Sequence, residues 1–443
     1  MKRTSLPSSL RLLPLLVALG GGFTASAQAQ SLVDLYNAAR EYDASFQSAR
    51  SQYDATLARA DQAQALLLPT VGLQSSLTRT TQEPEPLSEK SFNTQTNTLA
   101  ASQPLYRPAN LASYKQGKKQ TEVAKSQMEA AEQDLIVRVS QAYFDVLAAS
   151  DSLTFVKSQK TAVGEQLASA KRNFEVGTST ITDSREAQAR YDLVIAQEIA
   201  AENDLRVKSL ALTQLVGMPN AAPKPMATPV ALGNPQGGDI EQWVREAIAR
   251  NPNIQQLGIA LEVAQLETEK AYAGHKPTID LNANYTTVNG GAYLNTADAR
   301  TNQTQIGVTL NLPLFAGNSV RNRVKETVAL EDKARTDLEA TKRSVEQGAR
   351  TAYFGLQAGA AQVKALEAAE ISTQSALDAN KLGYQVGVRI NIDVLNSQSQ
   401  LYDTKAKLAK ARYDVLVGGL KLRQVAGTLK ADDLQPINSL LAK

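Results

Sequence analysis

The residues best placed to do chemistry are two aspartates in closely matched surroundings. Asp183 follows Asn173-Phe174-Glu175-Val176-Gly177, and Asp393 follows Gly383-Tyr384-Gln385-Val386-Gly387, 210 positions further along. A carboxylate in such a place can cap a helix, pair with a guanidinium or offer oxygen to a hard cation. Little else in the chain is reactive. There is no cysteine, which excludes disulfides and thiolate metal sites. His275 is the single histidine, so it cannot complete a His-rich metal site or a catalytic pair, and its place just before a strand gives it a structural role. No Gly-rich phosphate loop and no nucleophile elbow occur. The expectation is a protein that is not an enzyme, needs no cofactor and uses its carboxylates as charges and caps.

Both aspartates belong to a tandem duplication covering almost the whole chain. At the same offset Ala142-Tyr143-Phe144 returns as Ala352-Tyr353-Phe354, and Leu215-Val216-Gly217 as Val425-Ala426-Gly427. Upstream the register slips by one or two residues, with Pro69-Thr70-Val71 matching Pro277-Thr278-Ile279. So long a period holds several elements per copy, which points to a pseudo-symmetric assembly and not to a solenoid. Ahead of the first copy, Lys2, Arg3 and Arg11 flank the apolar run Leu12 to Leu19, and small residues follow at Ala25-Ser26-Ala27 or Ala27-Gln28-Ala29, the layout of a secretory leader. The formal charge of +3 resides in that leader, so the mature chain is electroneutral and is not expected to bind nucleic acid. The expected division is a leader over 1–29, a first repeat over 30–216, a linker over 217–238, a second repeat over 239–428 and a tail over 429–443.

The elements that hold the aspartates are long helices. No proline occurs between Ala109 and Met218 or between Leu314 and Gln435, and both stretches are rich in good helix formers. Val394, Leu401, Leu408, Val415, Leu422 and Leu429 recur every seven residues, with Ser397, Thr404, Ala411, Gly418 and Val425 three places on, a coiled-coil seam of large and mostly small rows. Each stretch is broken once, at 176–183 and at 386–393, where a glycine suits a helix end and a β-branched run precedes the next helix. Each is therefore an antiparallel hairpin. A Thr, Asn or Asp in each break can cap the returning helix, and Asp183 with Glu186 has capping-box spacing. One further amphipathic helix precedes each half, over Leu32–Leu67 and Ile240–Ala273. The proline-rich stretch between the copies reads as an irregular linker.

Each copy also inserts two segments of alternating polarity. Ile279, Leu281, Ala283 and Tyr285 alternate with polar neighbours, as do Ile306, Val308, Leu310, Leu312 and Leu314. Val71, Leu73 and Leu77 repeat the pattern in the first copy, with a weaker return from Asn93 to Gln103. Polar loops are expected over Thr80–Ser91 and Asn289–Asn302. Alternation alone fits a half-buried soluble sheet and a lipid-facing one equally. The leader, the missing cysteines and the absence of a long apolar helix favour an outer-membrane barrel. Four strands cannot close one, because known barrels begin at about eight. Several chains must share it.

The stretch Gly383 to Asp393, continuing through Val394-Leu395 to Gln398 and Leu401-Tyr402, together with Phe174 to Asp183 in register with it, resembles the TolC family of outer-membrane channel-tunnel proteins. The resemblance spans essentially the whole mature chain. It implies an α+β membrane protein: a homotrimer whose three sets of four strands form one twelve-stranded β-barrel in outer-membrane lipid, continued by a long α-helical tunnel in the periplasm of a Gram-negative bacterium. It further implies partners at the hairpin tips, around Val176, Gly177, Val386 and Gly387. These are a periplasmic adaptor (membrane fusion protein) and an inner-membrane transporter of ABC, RND or MFS type, for efflux of small toxic compounds or type I secretion of proteins.

The resemblance also assigns roles. Thr182 and Asp183 on one tip, with Tyr384 and Arg389 on the other, match the polar links that hold the tunnel closed. Exposed charge pairs contribute about 0.2–1 kcal/mol each, enough to bias a gate without locking it. Asp393 matches an aspartate that rings the entrance and favours cations, while Asn396 stands where well-known members carry a second aspartate, which halves the negative charge expected there. From the residues alone, Asp183 and Asp393 also fit plain helix caps, and Arg389 a solvated surface charge. Two other functions stay open at this level. One is a periplasmic adaptor, which has a long hairpin but also lipoyl-like and small β-domains that are not found here; the other is a soluble coiled-coil scaffold.

Overall fold

The computed structural model describes residues 29–83, 90–227, 239–290 and 300–442. All but the last residue of the expected leader, the second half of the linker and the centres of both inter-strand loops lie outside the described residues. Each half begins with two helices where the sequence reading has one: α1 (Leu32–Tyr42) and α2 (Ala44–Ala65), then α5 (Ile240–Arg250) and α6 (Pro252–Tyr272). The breaks have local causes. Asp43 takes an extended conformation and its carboxylate accepts from the Phe46 N–H, starting a new helix. Asn251 does the same ahead of Pro252, whose ring and missing N–H bar it from a helix interior.

The first hairpin is α3 (Pro108–Glu175) with α4 (Ile181–Val216), and the second is α7 (Ser319–Gln385) with α8 (Asn391–Val425). At a rise of ~1.5 Å per residue, α3 and α7 each run about 100 Å. Val394, Leu401, Leu408, Val415, Leu422 and Leu429 are all buried, as the seven-residue period requires. A second core lies partway along the hairpins. There Leu32, Leu35 and Tyr36 of α1 meet Leu135, Ile136, Tyr143 and Phe144 of α3, Tyr413 and Leu420 of α8, and Leu434, Ile437 and Leu441 of the C-terminal segment, which carries the short helix α9 (Leu434–Asn438). Main-chain bridges Gln30 to Pro223 and Met226 to Leu441 knit the segment before α1 and the C-terminal segment to the linker at this level. The tail is thus part of the core and locks the two repeats together.

Beyond the other end of the hairpins lies one antiparallel sheet in the order β1 (Thr70–Gln82), β2 (Lys90–Tyr106), β3 (Thr278–Asn289), β4 (Arg300–Asn311). The strands run further than the sequence reading placed them and take in Thr80–Gln82 and Arg300–Asn302, because threonine-rich polar segments favour extended backbone. At the other end β4 stops at Asn311, since Pro313 offers no N–H to a ladder. Among the described residues β1 pairs only with β2, and β4 only with β3, leaving both outer edges free there. Val71, Leu73 and Leu77 on β1 and Ile306, Val308 and Leu310 on β4 are exposed. An apolar sheet with two bare edges is stable in lipid only when closed. Where strand gives way to helix, the Arg107 guanidinium donates two 2.7 Å bonds to the Asp280 carboxylate, tying the first repeat to the second. No helix of the described residues is long and apolar enough to cross a membrane.

Candidate functional site: the two hairpin tips

Both tips reverse the chain in the same way. Val176 and Val386 donate to the carbonyls of Arg172 and Leu382, and Thr178 and Val388 to those of Asn173 and Gly383. This requires left-handed backbone at Gly177 (φ +78°) and Gly387 (φ +80°), which is why glycine stands at both positions. Val176 and Val388 are 73% and 75% exposed, with Val386 and Ile390 also bare, so each tip presents valines to its surroundings.

The tips differ in how the next helix starts. At the first, Thr180 is the cap and Asp183 the third helical residue, a register three residues earlier than the Asp183–Glu186 box expected from sequence. Thr180 rather than Asp183 holds the extended backbone that a cap needs, and so the box closes there. One carboxylate oxygen, Oδ2, accepts from the Ser179 hydroxyl (2.7 Å), the Thr180 hydroxyl (2.8 Å) and the Thr180 N–H (3.0 Å). Partial burial is the largest influence on this carboxyl and pushes it up, but the Ser179 and Thr180 bonds together outweigh it and hold Asp183 below the usual value. At the second tip the cap position is Ile390, which has no side-chain oxygen to give. Asp393 is left to pair with Arg389, Nη1 to Oδ2 3.7 Å, largely in solvent. Among the described residues its carboxylate caps nothing.

Of the expected latch residues, Thr182 is exposed and Asp183 is engaged within its own tip. Tyr384 does reach the first hairpin, where its hydroxyl accepts from Asn173 Nδ2 at 3.3 Å. Within the single chain Arg389 meets Asp393 and neither Thr182 nor Asp183. Its stem lies over Gly383, where a Cβ would stand 2.7 Å from Arg389 Cγ. Asn396, exposed one turn beyond Asp393, accepts from Arg190 Nη2 of the first hairpin at 2.7 Å. The cross-hairpin partners Asn173, Gln166, Arg190 and Asn391 were absent from the sequence-derived set. Asn391 alone left a signal, a polar residue opening a helix beside the buried seam. No cluster of three metal-ligating residues occurs among the described residues. The arrangement can sort and hold charge at the end of a helical bundle, and it offers nothing that makes or breaks bonds.

The outer membrane efflux protein family model matches residues 35–218 and 243–428, one match per repeat. The chain is 34% identical over 434 residues to the outer membrane protein TolC of Vibrio cholerae, covering 97% of this chain and 98% of that one. It is 30% identical over 418 residues to the alkaline protease secretion protein AprF of Pseudomonas aeruginosa, covering 92% and 87%. The fold is that of the crystal structure of the outer membrane protein VceC from Vibrio cholerae, with a TM-score of 0.77 at 19% identity over 89% of this chain and 96% of that one. With both repeats matched and near-complete coverage in sequence and in fold, the chain belongs to the outer membrane efflux protein family.

Proposed function

We propose that this protein is the outer-membrane exit duct of a tripartite export system, passing small toxic compounds, proteins or both out of a Gram-negative cell. The observation that carries this is the four-stranded sheet with two free edges and bare apolar faces, set on hairpins about 100 Å long. Three copies close the barrel, as in the rest of the family, and the helices extend it as a tunnel through the periplasm. An adaptor engages the tips at the exposed Val176 and Val386 and the turn glycines Gly177 and Gly387, and an inner-membrane transporter of ABC, RND or MFS type delivers the cargo and the energy. Thr182, Asp183, Tyr384 and Arg389 bias the tips closed, the contacts to neighbouring copies adding to those within the chain. Asp393 supplies one carboxylate per copy at the entrance, raising local cation concentration there. AprF is named for protease secretion and TolC for no cargo, and the same duct serves either route. The test is to purify the full chain in detergent and reconstitute it in planar bilayers, with export restored to a cell lacking its own duct as the second readout. A trimer forming low-conductance channels is expected. Extraction as a soluble monomer without detergent would overturn the assignment in favour of a scaffold.

A further inference from the structure

The inner end of α8 has two buried faces. Val394 and Leu401 pack with Leu377 of their own hairpin. Leu395, fully buried, is lodged instead among Val163, Leu167, Ala170, Ala187 and Val194 of the first hairpin. One turn before Leu395 stands Asn391, at 0% exposure. Its amide is used twice: Oδ1 accepts from Gln166 Nε2 of α3 at 2.5 Å, and Nδ2 donates to the main-chain oxygen of Asp183 in α4 at 3.2 Å. The first turn of α8 is therefore fastened to both helices of the other hairpin.

The repeat makes the contact specific. At the 210-residue offset Gln166 corresponds to Ala376 and Asn391 to Ile181, neither of which carries an amide. Ile181 is 48% exposed in the single chain. The fastening thus exists on one of two pseudo-equivalent sides of the hairpin. It also differs in kind from the neighbouring polar contacts. Arg389 to Asp393 is long and solvated, so water competes for it. Asn391 itself is wholly buried, where a polar group must be satisfied or be costly, and withdrawing its amide draws on the same helical turn that seats Leu395 in its apolar socket.

We propose that Asn391 is the positioning residue of the closed entrance: its amide pins the second hairpin to the first, and opening requires Asn391 and Leu395 to withdraw together. This rests on the reading of the tips as a gated entrance. The test uses the full-length protein in planar bilayers. Asn391→Leu keeps the volume and removes both bonds, while Gln166→Leu removes one and leaves the Asp183 bond intact. Each is expected to raise the open fraction, on the order of fivefold per bond lost, in protein that still assembles. The double variant should exceed Asn391→Leu alone by little, because the two side chains act as one contact. Assembled Gln166→Leu with unchanged conductance would overturn the pin, as would single effects that simply multiply. Lower thermal stability of the assembly without a rise in conductance would mean a purely structural role and overturn it equally. If Asn391→Leu fails to assemble, Gln166→Leu decides alone. Failure of the unsubstituted protein to form any channel would instead refute the duct itself.

Discussion

The two hairpin tips share a backbone and differ in what they do with it. Each turns through a left-handed glycine, and each places an aspartate at the third position of the returning helix. In the first tip that aspartate is used up in capping, because Thr180 and Ser179 offer hydroxyls. In the second, the corresponding residues are Ile390 and Arg389, so the carboxylate is released from capping and faces a cation in solvent. The two copies share the geometry, and the pair of residues beside each aspartate decides whether it holds structure or displays charge. A matched residue in an internal repeat therefore carries a position, and its neighbours decide the role.

The largest effect expected from breaking this comparison is at the first tip. Asp183→Ala removes three bonds and leaves the Thr180 N–H without its partner, which should cost about 1–2 kcal/mol of local stability, read as faster amide exchange over the first turn of α4. Asp393→Ala should leave exchange at the start of α8 nearly unchanged and shift the reversal potential in a salt gradient away from cation preference. Equal exchange effects at the two tips would dissolve the distinction. The reciprocal change is somewhat smaller. Ile390→Thr places a hydroxyl at an extended cap position and should slow exchange in α8 by the equivalent of about 0.5–1 kcal/mol, while drawing Asp393 from Arg389 and weakening cation preference. A shift in one readout without the other would show that the cap and the displayed charge are independent.

Much of this was legible in the chain itself, and the exceptions share a cause. The heptad from Val394 to Leu422 predicted burial residue by residue, since burial follows from periodicity along one helix, while Leu429, beyond the end of α8, is buried by the core around α1 instead. The reversal at Gly177 and Gly387 followed from glycine's tolerance of positive φ. The single helix over Leu32–Leu67 did not survive, because one extended residue, Asp43, divides it, and the sequence holds that choice only as a weak capping preference. The Asp183–Glu186 box gave way to Thr180–Asp183 for the same reason, since several residues of the break can cap and their sequence preferences barely differ. The contacts of Asn391, Gln166, Asn173 and Arg190 join residues more than 200 positions apart, and depend on how one hairpin lies against another, which no local pattern encodes.

A smaller effect concerns the links between tips. Tyr384→Phe removes the acceptor of Asn173, and Arg389→Ser releases Asp393. The Arg389 pair is largely solvated and contributes about 0.2–1 kcal/mol, the long, part-buried Tyr384 bond about 0.5–1.5 kcal/mol, and the double variant should raise closed-state conductance by less than Asn391→Leu does. Because Arg389→Ser also frees the Asp393 charge, cation preference should rise along with conductance. Conductance unchanged in the double variant would remove Tyr384 and Arg389 from the latch and leave the asymmetry of the tips as a matter of charge display alone.

The smallest expected effect is on the pH response of the first tip. Asp183 sits below the usual carboxylate value in the folded protein, so its contribution is complete above that value and is lost as pH falls through the lower folded one. Acidification should therefore lower the protection of amides at the start of α4 relative to their intrinsic exchange at the same pH, while α8, which begins without a side-chain cap, lacks this cause of fraying. A global melt would blur the contrast. Asp151 accepts a 2.6 Å bond from the Tyr413 hydroxyl, and burial, the dominant influence, pushes its carboxyl above the ordinary range. Its linkage has the opposite sign, with stability fully present below the unfolded value and lost as pH rises through the raised folded one. Residue-level exchange separates the two, since Asp183→Asn should abolish the acid response in α4 and leave that of the Asp151 region untouched. An acid response in α4 that survives Asp183→Asn would mean that the first tip, like the second, is not held by its aspartate.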